Sequence, residues 1–185
     1  MKYDPDKHNR RSIRLKDHDY SAAGAYFVTL CTQNHACLLG EIIDKEVSLS
    51  PLGRIVAESW GWLKQQYSYV EQDAWVVMPN HLHGIILIKD VTGRGASRSA
   101  LISGGSRTAP TAEQRKPLGR LIGAFKTMST KRINEILRTP GTVFLQRNYY
   151  EHVIPNETTL NAIREYIEAN PSRWQDDPDN PNLVE

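Results

Sequence analysis

Residues 74–88 read AWVVMPNHLHGIILI, two short apolar runs that flank the hexapeptide from Pro79 to Gly84. Short runs rich in valine and isoleucine are typical of strands, and the Pro-Asn step between them is typical of a turn or kink. Residues two apart on a strand face the same side, so His81 and His83 present adjacent imidazoles while Leu82 faces a core. Two neutral imidazoles at this spacing can share one divalent metal ion. Taken alone, the pair fits a metal site and two ordinary strand histidines about equally well.

The composition indicates one globular domain with a basic region. The chain has 185 residues, of which 39% are hydrophobic and 24% charged, ordinary values for a domain with a sizeable core. The net charge of +2 is unevenly distributed, because residues 94–147 are basic and residues 175–185 are acidic. A concentrated basic region favours a polyanionic partner over an acidic small molecule.

Cysteine usage and hydropathy indicate the compartment. Cys31 and Cys37 form neither a CxxC motif nor a disulfide framework, as expected in a reducing cytoplasm. The polar N-terminus lacks the apolar segment of a signal peptide, and no run of about 18 apolar residues occurs. We therefore expect a cytoplasmic protein without a membrane span.

Periodicity and capping residues predict the remaining elements. Strands are expected at 25–32, 38–43 and 46–49, and a pair of strands around the histidines is expected between residues 74 and 89. Helices are expected at 51–67, 117–137 and 157–169, with Ser50 and Asn156 as N-caps of the first and the last. The strand at 25–32 carries apolar residues on both faces, which favours a central position in the sheet.

Composition also predicts the domain organisation. We expect a basic N-terminal arm (1–20), a folded catalytic domain (21–174) and a loose acidic tail (175–185). Within the domain, residues 90–117 are rich in glycine, serine and arginine and have no apolar period. Such a segment predicts a mobile basic loop with weak phosphate contacts.

Basic and aromatic side chains are candidates for contacts with nucleic acid. The helix at 117–137 has a basic, hydroxyl-bearing face, and tyrosines follow an arginine at 147–150. Solvated surfaces and core packing explain the same residues about equally well. The candidates are Arg11, Arg14, Arg120, Lys126, Lys131, Arg132, Arg147, Tyr149 and Tyr150.

The last predicted helix carries Tyr166 and Asn170, which are four residues apart and share one face. An amide oxygen is a suitable third ligand for Mg²⁺ or Mn²⁺ beside two histidines. A phenol next to a metal-bound phosphate can act as a nucleophile. Without the histidines, such a tyrosine is more often a half-buried helix residue. The hypothesis requires this helix to cross the strand face that carries His81 and His83.

The order of these motifs resembles the REP-associated tyrosine transposases, relatives of the IS200-like single-strand transposases of the HUH superfamily. The resemblance covers roughly residues 20–174, and it depends on the whole ordered set because each motif alone is unspecific. The motifs are YFVT at 26–29, AWVVMPNHLH at 74–83, GAFK at 123–126, QRNYYEH at 146–152 and YIEANP at 166–171.

The family implies an α+β fold of ferredoxin-like or RRM-like type. It has an antiparallel sheet with helices on one face and the His-hydrophobic-His motif on a central strand. The resemblance implies His81, His83 and Asn170 as ligands of Mg²⁺ or Mn²⁺, and Tyr166 as the nucleophile. The implied activity is cleavage and rejoining of single-stranded hairpin DNA through a 5′-phosphotyrosine, by a monomer or a homodimer.

Some positions depart from the family pattern or compete for a role. Tyr149 and Tyr150 are alternative nucleophiles, but Tyr166 matches the family's Tyr-Ile-x-x-Asn-Pro segment. Leu145 stands where the family often has tryptophan, and Pro155 where it often has arginine. The second departure is expected to remove a DNA contact and leave the site intact.

The residues also allow two other functions. An RRM-like sheet with arginine and aromatic side chains can bind single strands without cutting them. A metal-dependent hydrolase would use water in place of tyrosine and form no covalent protein–DNA adduct. The sequence does not identify a general base.

Overall fold

The computed structural model describes residue 15, residues 18–90 and residues 115–181. Most of the predicted N-terminal arm, including Arg11 and Arg14, lies outside these residues. The same is true of nearly all of the predicted loop at 90–117 and of the last four residues of the acidic tail. Within the described parts of the chain, no helix combines the length and apolarity that a membrane crossing requires.

Six strands and three α-helices make up the described chain, with two short 3-10 helices at Gln33–His35 and Pro171–Asp176. The strands are β1 (Gly24–Cys31), β2 (Gly40–Ile43), β3 (Glu46–Leu49), β4 (Val70–Val77), β5 (His81–Ile88) and β6 (Tyr150–Ile154). The helices are α1 (Pro51–Gln66), α2 (Leu118–Leu137) and α3 (Glu157–Ala169).

Four strands form one antiparallel sheet in the order β4-β5-β1-β6, and β2 and β3 form a separate hairpin. The succession β1-α1-β4-β5-α2-β6 with this strand order is the ferredoxin-like arrangement. The predicted α+β class, the antiparallel sheet and the histidine motif on a central strand are therefore confirmed.

The two faces of the sheet carry separate hydrophobic clusters. On β1, Tyr26 and Leu30 belong to the cluster with α1 and α2, whereas Phe27 belongs to the cluster with α3. β5 divides in the same way, with Leu82 in the first cluster and Ile85 in the second. The helix α3 thus departs from the predicted placement of all helices on one face. Because both central strands are apolar on both sides, the second face also needs a cover, and α3 provides it.

Capping residues explain where α1 and α3 begin. Ser50 Oγ accepts a hydrogen bond from the backbone N–H of Gly53 at 3.1 Å, and Pro51 occupies the first position of α1. Asn156 Oδ1 accepts one from the N–H of Thr159 at 2.9 Å. The three helices lie within one residue of their predicted ranges.

The strand boundaries were predicted less well. β4 begins at Val70 rather than at the predicted residue 74. The polar residues that follow Val70 hid this part of the strand, which lies at the sheet edge and has irregular pairing with β5 between Gln72 and Trp75. β6 was not predicted as a strand, because its exposed tyrosine and histidine obscure a short apolar pattern.

Gly84, the last residue of the hexapeptide, allows a close approach between β5 and α1. A Cβ at this position would lie 2.5 Å from the indole of Trp60, which is fully buried. The contact lies on the face of β5 opposite to His81 and His83, since alternate residues face opposite sides. Glycine at this position therefore lets α1 pack closely on the sheet face opposite to the histidine pair.

Candidate active site

His81 and His83 lie side by side at the beginning of β5, on the sheet face that α3 covers. They are 0% and 3% exposed, and their ring centroids are 4.4 Å apart. His81 Nδ1 lies 2.8 Å from Asn80 Oδ1. A carboxamide oxygen only accepts, so Nδ1 carries the proton and Nε2 presents a lone pair. This buried Nε2 makes no hydrogen bond to any described residue, so His81 retains an unused electron pair.

Tyr166 reaches His83 from α3. The Tyr166 hydroxyl lies 3.2 Å from His83 Nε2, while His83 Nδ1 lies 2.9 Å from Thr29 Oγ1. The tyrosine ring also packs on Phe27, with ring centroids 6.1 Å apart. As the sequence hypothesis requires, α3 crosses the strand face that carries the histidines. Tyr166 is 42% exposed, so this side of the site is open to a ligand.

Asn170 lies directly after α3 and is buried beside the same centre. Its Nδ2 donates a hydrogen bond to Asp177 Oδ2 at 3.1 Å. Its Oδ1 is buried and makes no hydrogen bond within the described part of the chain. An unsatisfied buried acceptor costs about 1–3 kcal/mol, so this oxygen has a physical reason to bind a cation or another donor.

Asp177 completes the group and was not among the predicted site residues. The 3-10 helix Pro171–Asp176 turns the chain back toward the sheet and buries Asp177, which is 5% exposed. Ligand atoms of His81, His83 and Asp177 all lie within 4.8 Å of one another. The acidic tail, predicted to be loose, is therefore packed up to this point. A single aspartate in a proline-rich acidic segment has no periodicity, so no sequence signal assigned it to the site.

Asn80 is a second residue whose role the sequence did not reveal. Its Oδ1 orients His81, and its Nδ2 donates to the backbone oxygens of His35 at 3.1 Å and Asp179 at 2.6 Å. Asn80 is fully buried. One side chain therefore ties the beginning of β5 to the turn after β1 and to the C-terminal segment. The only signal in the sequence is its position next to His81.

Burial sets the charge state of the centre. It lowers the pKa of both histidines, and the pKa of His83 falls to about 2, with His81 as a further cause. The carboxylates of Asp177 and Asp179 oppose this effect at His81. Burial raises the pKa of Tyr166, and both carboxylates raise it further. At neutral pH the imidazoles and the phenol are therefore uncharged.

The donor set fits a divalent metal ion. His81 Nε2 and Asn170 Oδ1 are buried and unpartnered, and a neutral imidazole and a carboxylate lie next to them. Nitrogen and oxygen donors of this mixture suit Mn²⁺ and Mg²⁺ as well as other divalent ions. His81, His83 and Asp177 thus form a possible metal site, with Asn170 adjacent.

His83 Nε2 cannot serve two partners at once. Its lone pair can accept the proton of the Tyr166 hydroxyl, or it can bind a metal ion. In the second case Nδ1 carries the ring proton and donates to Thr29 Oγ1. Metal binding through Nε2 and the Tyr166–His83 hydrogen bond therefore exclude each other.

Comparison with known proteins identifies a relative. No family model matches the sequence. An uncharacterized protein of Haemophilus influenzae (strain Rd) is 37% identical over 180 residues, which cover 95% of this chain and 96% of the relative. The chain belongs to the family of this Haemophilus protein.

A solved structure has a fold similar to that of this chain. The structure is that of the REP-associated tyrosine transposase bound to a REP hairpin, and the similarity covers 94% of this chain and 75% of the other. The TM-score is 0.56 and the sequence identity 16%. At this identity the similarity establishes a shared fold. The fold that the motif resemblance implied is confirmed.

Among the predicted nucleic-acid contacts that the structure describes, Tyr150 lies beside the centre. It pairs with Thr29 across the β6–β1 ladder, and Thr29 pairs with His83, so the three form one row across the sheet. Tyr150 is half-exposed and packs on Phe27 at a centroid distance of 6.1 Å. Arg147 is exposed just before it. Tyr150 therefore flanks the family member's candidate site on the side of β6.

Lys126 and Tyr149 serve the packing of the domain. The Lys126 ammonium donates to the backbone oxygens of Gln146, Arg147 and Asn148 at 2.7, 3.2 and 3.0 Å. It also lies 5.2 Å from the centroid of the Tyr149 ring. Tyr149 packs on the cluster of α1 and α2, across the sheet from the histidines. Lys126 therefore fixes the segment before β6, and its ammonium is not a free phosphate contact.

The other predicted basic residues of α2 lie away from the histidine face. Arg120 is exposed and lines a groove of about 880 Å³ at the beginning of α2. Lys131 forms an ion pair with Glu135 at 3.9 Å, and Arg132 forms one with Glu58 of α1. Because α2 packs on the opposite side of the sheet, the structure does not bring these side chains together with the candidate site.

Proposed function

We propose that this protein is a metal-dependent transposase or single-strand DNA endonuclease and ligase, with Tyr166 as the nucleophile. The observation that carries the proposal is the position of the Tyr166 hydroxyl, 3.2 Å from His83 Nε2, beside two buried and unpartnered donor atoms. Those atoms are His81 Nε2 and Asn170 Oδ1. A merely structural tyrosine does not require such neighbours.

His81, His83, Asn170 and Asp177 would hold the metal, with Mg²⁺ or Mn²⁺ as the expected ion. When bound, a divalent ion there neutralises a phosphate oxygen and stabilises the developing charge of phosphoryl transfer. The burial of this donor set excludes water from the ligands and preserves their neutral imidazoles. Tyr166 is half-exposed, so a strand that enters from the open side can contact this residue.

The proposed step forms one bond and breaks one. The Tyr166 oxygen attacks the phosphorus and loses its proton, while the bond between phosphorus and the 3′-oxygen breaks. The leaving oxygen takes up a proton and becomes a 3′-hydroxyl, and the 5′-phosphate stays on the tyrosine. Attack by a 3′-hydroxyl on this phosphotyrosine reverses the step and rejoins DNA, without an external energy source.

Single-stranded DNA next to a hairpin is the proposed substrate. The motif resemblance supports this class, and the structural neighbour of the same fold was bound to a REP hairpin. The half-exposed Tyr150 beside the site suits base stacking, and the exposed Arg147, three residues before it, suits a phosphate contact. Residues 94–147, which lie between the histidine pair and Tyr166 in the sequence, are also basic, and this favours a polyanionic partner.

The fold disfavours the non-catalytic alternative. An RRM-like module binds single strands on the open face of its sheet. In this protein α3 covers that face, through Leu160 and Ile167 packed against Phe27 and Ile85. A strand therefore has to approach at the edge beside Tyr166 rather than across the sheet.

The experiment is an adduct assay with labelled hairpin DNA that has a single-stranded flank. We expect a protein–DNA adduct that survives denaturation, requires Mg²⁺ or Mn²⁺ and disappears with a chelator. Tyr166→Phe should abolish the adduct and cleavage while retaining hairpin binding. The matched control is Tyr150→Phe, which should still cleave.

Two results would contradict the proposed function. Metal-dependent cleavage without any covalent adduct would identify a hydrolase that uses water. Hairpin binding with no cleavage under any metal condition would identify a binding module.

A further inference from the structure

A second cluster of metal-ligand side chains lies beside the candidate active site. Cys31, the last residue of β1, pairs with His81 across the β1–β5 ladder and shares its face of the sheet. The Cys31 thiol, the His35 imidazole and the Asp179 carboxylate have ligand atoms that all lie within 4.8 Å of one another. None of these three residues belongs to the proposed catalytic machinery.

We propose that Cys31, His35 and Asp179 form a second metal site that takes a thiophilic divalent cation of the Zn²⁺ class. Sulfur, imidazole nitrogen and carboxylate oxygen are the donors that zinc uses in proteins. A thiolate ligand selects against Mg²⁺ and Mn²⁺, the ions expected at the neighbouring centre. The two sites therefore differ in the chemistry of the ion they accept.

The distances fit one tetrahedral ion. His35 Nδ1 and Asp179 Oδ1 lie 3.4 Å apart. Two ligand atoms bonded to a tetrahedral zinc at about 2.1 Å are separated by about 3.4 Å. All three side chains are partly exposed, so the thiol can close on the ion by a rotation at the surface. Three protein ligands leave a fourth position for water or another group.

The backbone that carries the ligands is held in place without an ion. The buried Asn80 side chain donates to the backbone oxygens of both His35 and Asp179, at 3.1 and 2.6 Å. The turn that presents His35 keeps two consecutive residues in the left-handed region, with φ of 57° at Asn34 and 52° at His35. This conformation is uncommon for residues other than glycine. The fold therefore holds His35 and Asp179 together from segments that are far apart in sequence.

Other roles for the three residues fit less well. A reactive redox cysteine needs an accessible thiolate, but burial and the Asp179 carboxylate raise the pKa of Cys31 to about 12. A simple ion pair between His35 and Asp179 gives the thiol no role. The ion-pair alternative predicts no bond between the sulfur and a metal, which makes the two interpretations distinguishable.

The second site would also support the first. Asp177 and Asp179 lie in one short segment, and the Asp179 N–H donates to Asp177 Oδ1 at 2.7 Å. An ion bound by Cys31, His35 and Asp179 anchors this segment to the end of β1. The anchored segment carries Asp177 to the histidine pair, so the second ion would act as a structural clamp on the catalytic centre.

The test is a Co²⁺ titration of the full chain with His81→Ala and His83→Ala, which removes the neighbouring histidine ligands. We expect thiolate-to-cobalt charge-transfer absorption that saturates at one equivalent and is displaced by Zn²⁺. Cys31→Ser should abolish the absorption, and Asp179→Asn should weaken binding about tenfold or more. Cys37→Ser, which removes the other free cysteine, is the matched control and should retain it.

The opposite results would overturn the second site. Any one of three results is sufficient. Charge-transfer absorption is absent, or it survives Cys31→Ser and is lost in Cys37→Ser. The third is an unchanged affinity in both Asp179→Asn and His35→Ala. The same Co²⁺ charge-transfer absorption, measured in the unsubstituted protein with excess Mg²⁺ and lost in Cys31→Ser, gives a second measurement, which does not depend on the double histidine variant folding. None of these readouts depends on DNA cleavage, so failure here leaves the proposed function unaffected.

Discussion

Each candidate histidine ligand is held through its Nδ1 by a neighbouring polar side chain. Thr29 Oγ1 lies 2.9 Å from His83 Nδ1, and Asn80 Oδ1 lies 2.8 Å from His81 Nδ1. Such partners fix the orientation of the ring and leave Nε2 for the metal. Thr29 and Asn80 therefore orient the candidate ligands, although neither is a proposed metal ligand or nucleophile.

Thr29→Val tests this support with little change in shape. Loss of the hydroxyl removes the acceptor for the His83 Nδ1–H, so we expect the affinity for Mn²⁺ to fall about 10–100-fold. Isothermal titration calorimetry measures the change. The matched control is Thr127→Val, because the Thr127 hydroxyl donates only to Gly123 O of its own helix, at 2.9 Å. Equal affinities for Thr29→Val and the parent protein would show that His83 needs no such partner.

At the scale of elements, the position of α3 decides whether Tyr166 meets the histidines. Arg164 of α3 donates from Nε and Nη2 to both carboxylate oxygens of Asp73 on β4, at 2.9 and 2.6 Å. This bidentate pair lies two residues before Tyr166 and complements the apolar packing of Ile167. It fixes α3 along the edge strand.

The stability that the Asp73–Arg164 pair contributes should depend on pH, and Asp73→Asn tests this dependence. The Arg164 hydrogen bonds hold the pKa of Asp73 below its ordinary value of 3.8. Since the folded pKa is depressed, the contribution to stability is present above pH about 4 and lost as pH falls through the folded pKa. We expect a lower Tm for Asp73→Asn at pH 7 and a difference that shrinks toward pH 2, measured by circular dichroism.

A matched control separates this bridge from a surface charge effect. Arg164 also pairs with Glu157, whose side chain is 71% exposed. Glu157→Gln should change Tm much less than Asp73→Asn at pH 7, because exposed pairs are screened by solvent. A larger loss in Glu157→Gln would mean that the helix is not held through Asp73.

At the scale of the whole molecule, one chain assembles the site from distant segments. β5 supplies the histidines, α3 supplies Tyr166, and the segment after the second 3-10 helix supplies Asp177. We therefore expect Tyr166 to act with the histidines of its own chain.

Mixing two inactive variants tests this arrangement. A protein with His81→Ala and His83→Ala retains Tyr166, and Tyr166→Phe retains the histidines. If the site forms within one chain, an equimolar mixture stays inactive in the hairpin cleavage assay. Recovery of activity to about a quarter or more of the parent would show that tyrosines are exchanged between chains.

Local periodicity made the two halves of the site predictable. The spacing of two between His81 and His83 and the spacing of four between Tyr166 and Asn170 each define one face of one element. The three helices and the strand β1 were also predictable from their apolar periods. Each of these features depends on residue spacing within one strand or one helix. The ferredoxin-like arrangement was implied by the motif resemblance, and the exposed side chains of β6 hid that strand.

The remaining features depend on contacts between distant segments. β1 and β5 are apolar on both faces, so the pattern alone did not reveal that α3 covers the second face. Asp177 and Asn80 act through hydrogen bonds to residues such as Asn170 and Asp179, and no periodicity encodes those partners. On the predicted basic face of α2, the Lys126 ammonium donates to backbone oxygens before β6, and the sequence pattern did not reveal this contact.

The most direct measurement is the mass-spectrometric mapping of the covalent adduct formed on hairpin DNA with Mn²⁺. The account predicts a single modified peptide in which Tyr166 carries the 5′-phosphate of the cleaved strand. An adduct on Tyr149 or Tyr150, or one on Tyr166 that forms equally well in the His81→Ala and His83→Ala protein, would contradict it.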